Sequence, residues 1–195
     1  PMLSIEKALT QIEQVENVHI VAINNEVKEL LFQVNYTKEI KAIKMNSYDL
    51  SNEKNLIYQK KYSDTTRSQI QYSDVKKFLY LPHPAISKAG LFKDLAVDFP
   101  VDKIAQETHL YTSMDKVDFP GRSFSVLKVV EYKPKKLKKL FSNKDYHVIT
   151  KSFGIKSEVI SDSWSLQPRG NRYLIAFKDR FGQRLIAETE IIVTD

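Results

Sequence analysis

Cysteine is absent from all 195 residues. Neither a disulfide nor a thiolate metal site can therefore form in this chain. That absence suits a reducing compartment, and a cytoplasmic location is the expectation. Glycine is scarce, and the five glycines, Gly90, Gly121, Gly154, Gly170 and Gly182, stand far apart. No G-x-G-x-x-G or Walker-type loop can be assembled from them, which excludes a dinucleotide or P-loop site. No serine stands in a G-x-S-x-G nucleophile elbow. Long apolar runs are missing too, and nothing approaches the roughly 18 residues that span a bilayer. No membrane partner is expected. The opening "PMLSIEKALTQ" has no basic region, apolar core or small-residue cleavage site, so it does not read as a signal peptide. It places Pro1 ahead of Met2, unlike a translation start, and the chain is expected to be a piece of a longer one.

Four histidines are present, His19, His83, His109 and His147, and no two stand at a metal-ligand spacing such as H-x-x-x-H. His19 and His147 lie inside strand-like runs and read as structural. His83, between Pro82 and Pro84, reads as a residue at the start of a helix. Asp115 and Asp118 in "SMDKVDFPG" are close enough to suggest paired carboxylates, but turn residues that solvate a loop explain them as well. No catalytic, cofactor-binding or metal-binding residue is assigned.

At 42% hydrophobic and 28% charged, the chain has the composition of a globular protein with one sizeable core or two small ones. Its net charge of +6 is unevenly placed. Residues 120–195 hold 15 basic against 8 acidic side chains, a net +7, and the remainder nets −1. An anionic partner is therefore expected at the C-terminal portion.

"LSIEKALTQI" has helical spacing with Ser4 as its N-cap. "VHIVAI" and "VKELLFQV" read as strands joined by Asn24 and Asn25, which tolerate the positive φ of a two-residue hairpin. "IKAIKM" and "NLIYQKKY" are further strands, with "NSYDLSNEK" and "SDTTRSQ" as loops. From Pro84 a helix is expected to run to about Leu95 and to bury Ile86, Ala89, Phe92 and Ala96. After Pro120 and Gly121, the order becomes strand, helix, strand, helix, strand, strand, a compact two-layer α/β arrangement. The fold class is α+β.

The stretch "YKPKKLKKLFSNKDYHVITKSF", residues 132–153, carries seven lysines and one acid. On a helix starting at Pro134, Leu137, Leu140 and Phe141 face the core, and Lys135, Lys136, Lys138 and Lys139 take the remaining surface. Lysine commonly coats a solvated helix face, yet acids ordinarily interleave there and here none do. Lys144 and Lys151 continue the charge, and Arg122, Arg169 and Arg172 join it if the fold gathers their loops. Tyr132, Tyr146 and Phe153 are interleaved where stacking on bases is open to them, though aromatic residues in strands are more often core. Nucleic-acid contact and a merely solvated face both remain open at this point.

Several phrases together resemble one family. "PMLSIEKAL…VENVHIVAINNEVKELLF" is similar to the tail of the catalytic domain in Bacteroidetes-type class I SAM-dependent methyltransferases. "YLPHPAISKAG" and "THLYTSMDKVDFPGRSF" resemble that family's ferredoxin-like segment. "VVEYKPKKLKKL", "YHVITKSF" and "RYLIAF" resemble its closing THUMP-like domain. The resemblance covers the chain in order. It implies a remnant of the methyltransferase sheet over residues 1–80, a ferredoxin-like connector over 81–121 and a THUMP-like domain over 122–195. It also implies an RNA substrate, an upstream catalytic domain that holds the SAM cofactor, and no turnover or cofactor in this part alone. The alternative is a non-enzymatic module that docks an acidic protein or packs on the catalytic domain. An orphaned N-terminal hairpin would favour self-association. One departure stands out: after "YHVITKSF" the family continues with proline and a basic helix, where this chain has Gly154 and a helix with Lys156 as its one base.

Overall fold

The computed structural model describes residues 2–51, 55–62 and 70–193. They form two compact units, one from Pro1–Gln69 and Pro82–Asp98, the other from Ile70–Leu81 and Phe99–Asp195. The chain thus leaves the second unit after Leu81 and returns to it at Phe99.

The first unit opens with α1 (Ile5–Leu9), whose N-cap Ser4 accepts from the Lys7 N–H at 3.4 Å. Strands β1 (Val15–Ile23) and β2 (Glu26–Val34) follow as an antiparallel hairpin. Asn24 and Asn25 turn it with φ of 51° and 60°, the left-handed values that such a turn requires. β3 (Ile43–Asp49) then lies parallel to β1, and β4 (Leu56–Tyr62) antiparallel to β3, giving the order β2-β1-β3-β4. The third strand begins later than expected and takes in Asn46–Asp49, which the polar composition assigns to a loop. Asn46, Ser47 and Asp49 are buried there, and Asn46 and Asp49 have hydrogen-bond partners. An amide ladder crosses all four strands: Asn17 donates to Gln33 at 2.9 Å, Asn46 to Asn17 at 3.4 Å, and Gln59 to Asn46.

Asp49 meets His83 Nε2 at 3.2 Å, both side chains being 8% exposed. His83 is also the N-cap of α2 (Pro84–Lys88), its Nδ1 accepting from the Ala85 N–H at 3.3 Å. With Nδ1 an acceptor, Nε2 carries the proton that faces Asp49. The single helix expected over 84–95 is in fact two, because Gly90 adopts φ of 74° and starts α3 (Phe92–Asp98) afresh. That offset buries Leu91 and Leu95, while Phe92 and Ala96 are only half-buried. Asp98 closes the helix onto β4 through Lys60 at 2.6 Å and the Tyr58 hydroxyl at 2.6 Å.

The second unit is built on a seven-stranded sheet. Its members are β5 (Phe78–Pro82), β6 (Asp102–Lys103), β7 (Tyr111–Ser113), β8 (Gly121–Glu131), β9 (His147–Lys151), β10 (Arg172–Lys178) and β11 (Arg184–Ile192). They lie in the order β6-β7-β5-β8-β11-β10-β9. Helices α4 (Pro134–Phe141) and α5 (Ser157–Trp164) cover one face, where Leu137, Phe141, Ile160 and Trp164 pack on Leu174, Ala176 and Ile186. The alternate residues Ile175, Phe177 and Ala187 point to the opposite face and pack with Leu79, Ile104, Leu110 and Phe124. Strand β10 therefore reads as a continuous apolar run, since it is buried on both sides.

One expectation about α4 is overturned. Leu137 and Phe141 are each 2% exposed, but Leu140 is 42% exposed. An i, i+4 pair suffices to seat an eight-residue helix, and Leu140 rolls out to its flank. Leu137→Ala should cost about 2–5 kcal/mol by emptying a core site. Leu140→Ala should stay within about 0.5 kcal/mol, as surface changes do. Urea melts of the two variants check the assignment, and equal losses would contradict it.

Candidate nucleic-acid interface

Pro134 sits in the first turn of α4, where its fixed φ fits and its missing N–H leaves no helical bond unmade. The apolar pair then turns Lys135, Lys136, Lys138 and Lys139 outward, and all four are exposed. Among the described residues none of them has an ion-pair partner, whereas neighbouring Lys133 is held by Glu131 at 2.7 Å. The first turn contains no acid, so Lys135 and Lys136 stand at the positive end of the helix dipole, an arrangement that works against the helix. Beneath them Lys128, Lys136, Val130 and Leu140 help to line a cavity of about 280 Å³ against β8.

The other basic residues singled out in the sequence go to different places. Lys144 and Arg169 are exposed on two loops that the backbone ties together, Tyr146 N–H to Gln167 at 2.9 Å and Gln167 N–H to Lys144 at 3.1 Å. Arg172 is neutralised, lying 3.4 Å from Glu190 and 4.0 Å from Glu188. Arg122 and Lys151 are on the sheet face opposite α4. The Arg122 guanidinium lies 5.9 Å from the ring centre of Phe124, a member of that face's core. Lys151 is half-buried, and burial together with the nearby Arg122 charge pulls its ammonium below the usual lysine range.

Of the two readings of the interleaved aromatic residues, stacking on bases or core, the structure bears out core. Phe153 and Tyr146 are 1% and 3% exposed, and half-buried Tyr132 packs edge-on against Phe153 at 4.8 Å. Burial, followed by its hydrogen bond to Glu188, raises the Tyr146 hydroxyl above its ordinary range. The ring pair that sequence reasoning passed over is His147 with Tyr173, stacked at 4.6 Å and 18°. Alternation along β9 was the available signal, because it puts His147, Ile149 and Lys151 on one side.

Asp115 and Asp118 are exposed, and the Asp115 carbonyl accepts from the Tyr80 hydroxyl at 3.2 Å, as a turn residue does. Among the described residues no group of three His, Asp or Glu side chains is placed to hold a metal. No described helix is long and apolar enough to cross a membrane.

This α+β architecture, with a basic helix laid on its larger sheet, has counterparts. Residues 78–120 match the family model of a ferredoxin-like domain, and residues 121–189 match that of a THUMP domain-like module. The two matches adjoin one another and between them take in residues 78–189. A crystal structure titled "putative methyltransferase from Porphyromonas gingivalis W83" superposes with a TM-score of 0.88 over 97% of this chain. At 24% identity that is a likeness of fold, and the chain spans 49% of that neighbour's length. No curated protein matches the sequence.

Proposed function

We propose that this chain is the substrate-recognition region of a SAM-dependent RNA methyltransferase whose catalytic domain lies upstream in the same polypeptide. The observation that carries the reading is the α4 surface: four exposed lysines, unpaired among the described residues, on a THUMP-like module. The fold gains nothing from crowding four cations on one short helix, and a polyanion would relieve their mutual repulsion. The THUMP-like match supports RNA as that polyanion, and the likeness to a methyltransferase structure supports the upstream partner.

Binding of single-stranded RNA should weaken with salt at about −0.7 per phosphate contact in log–log terms. Replacing Lys135, Lys136, Lys138 and Lys139 by glutamine should flatten that slope by up to about three units, leaving the fold intact because only exposed positions change. A wild-type slope in the quadruple variant, or no salt-sensitive binding by the parent chain, would sink the RNA reading.

With no glycine-rich turn after a strand, this chain alone should not take up the cofactor. Calorimetry should find no affinity for S-adenosylmethionine at about 100 μM or tighter, roughly −5.5 kcal/mol.

A second reading, docking of a protein through the first unit, is favoured by β2. It is an edge strand, and Leu31 and Val34 on it are 50% and 39% exposed. Concentration-dependent sedimentation would reveal self-association through that edge.

A further inference from the structure

The second unit carries a row of rings that ends in the open. Phe124 on β8 is fully buried and meets Tyr173 on β10 edge-on, at 5.2 Å and 67°. Tyr173 in turn stacks on His147 of β9, and β9 is the last strand of the sheet. One face of the imidazole therefore rests on tyrosine, while no further ring or strand flanks the other among the described residues. The ring is also fixed in place, because its Nε2 lies 3.2 Å from the Gly170 carbonyl. A half-buried, pre-oriented flat ring at the end of a stack offers a continuing plane to another flat ring.

Several cations gather around this edge, beside the exposed acid Asp145. Gly170 belongs to the loop that carries Arg169, and the backbone pairing of residues 144 and 167 brings Lys144 to the same corner. Arg122 extends over Phe124 at the inner end of the ring row and has no ion-pair partner among the described residues. Lys151 lies two alternate positions along β9 from His147, on the same side of the sheet. The ammonium of Lys151 and the imidazole of His109 are both held down by burial and by neighbouring cations, with no acid among the charges that move them.

We propose that the outer face of His147, backed by Tyr173, is a nucleobase-stacking site that holds one unpaired base of an RNA strand, with Arg122, Lys144 and Arg169 meeting its phosphates. This rests on the RNA reading above and adds to it a second contact, on the opposite side of the sheet from α4 and different in kind. The α4 lysines take phosphate charge whatever the base, whereas His147 requires a base to be present. Stacking of this sort accepts any base, since every base has a π face.

The test uses the intact chain and two labelled single-stranded oligomers of equal length, one an ordinary oligoribonucleotide and one of abasic ribose phosphates. Wild type should bind the base-bearing strand about tenfold more tightly than the abasic one, in line with one stacked base. His147→Ala should lose that preference while keeping the wild-type salt slope, and His147→Phe should keep it. A preference that survives in His147→Ala overturns the stacking site and leaves RNA recognition intact. Equal wild-type affinity for the two strands overturns it as well, and does so even if His147→Ala does not fold. Failure of wild type to bind either strand removes the RNA reading, and the stacking site with it.

Discussion

Trp164→Ala is expected to cost the C-terminal unit about 3–5 kcal/mol, a large part of the stability of an ordinary domain. The indole is 2% exposed and lies in an aromatic cluster that joins both helices to the sheet. It stacks on Phe141 at 6.1 Å and on Tyr132 at 6.3 Å. Phe141 continues edge-on to Tyr146 at 5.4 Å. Removing the indole therefore leaves two rings, Phe141 and Tyr132, facing a void between α5 and the sheet. Urea unfolding followed by circular dichroism measures the loss, and a change below about 1 kcal/mol would show that the cluster is not the core of the unit. Trp164 is the chain's one tryptophan. Its fluorescence in the parent protein thus reports on this unit alone.

Acidification from pH 7 to pH 4 should destabilise the same unit by about 1–3 kcal/mol through His109 alone, allowing for its partial exposure. Burial, then the charges of Lys103 and Lys151, lower its imidazole from the usual 6.5 to about 4. The folded unit therefore keeps His109 neutral, while the unfolded chain takes up a proton below about 6.5. Stability from this group is complete above about 6.5, falls as pH drops through the window, and changes no further below about 4. His109→Gln should flatten the dependence between those limits in urea melts. An unchanged dependence in the variant would rule His109 out as its source. His83 moves in the same direction in the first unit, where burial outweighs the attraction of Asp49.

Most of the strands and both C-terminal helices are legible because their apolar residues repeat at the spacings that burial demands. The hairpin of β1 and β2 is announced by Asn24 and Asn25, and α4 by Pro134 with Leu137 and Phe141. What escapes is structure whose cause lies outside its own segment. Asn46–Asp49 look like loop residues until the partners Asn17, Gln59 and His83 are brought beside them. Leu140 cannot be told from Leu137 by spacing, since both fit a helical stripe and only the tilt of α4 on the sheet separates them. Gly90 interrupts a sequence that otherwise reads as one helix. The basic set is visible as a composition, but its division between the two sides of the sheet depends on register. A sequence gives no sign that Arg172 is matched by Glu188 and Glu190 while Arg122 is left to a ring.

The passage of the chain between its units has a consequence for synthesis on the ribosome. Strands β1, β3 and β4 emerge first, but His83, which faces Asp49 of β3, and helix α2, which packs on β1 and β3, emerge only after β5 has been made. Strand β5 belongs to the other unit and has to wait in turn for β7 and β8. A nascent chain paused between residues 98 and 121 would hold the first unit with all its parts while the apolar strand "FLYLP" stood without its neighbour β8. The interval in which these strands most need protection from misassociation is therefore set by the threading of the chain, and it falls before residues 122–195, with their basic excess, have been made.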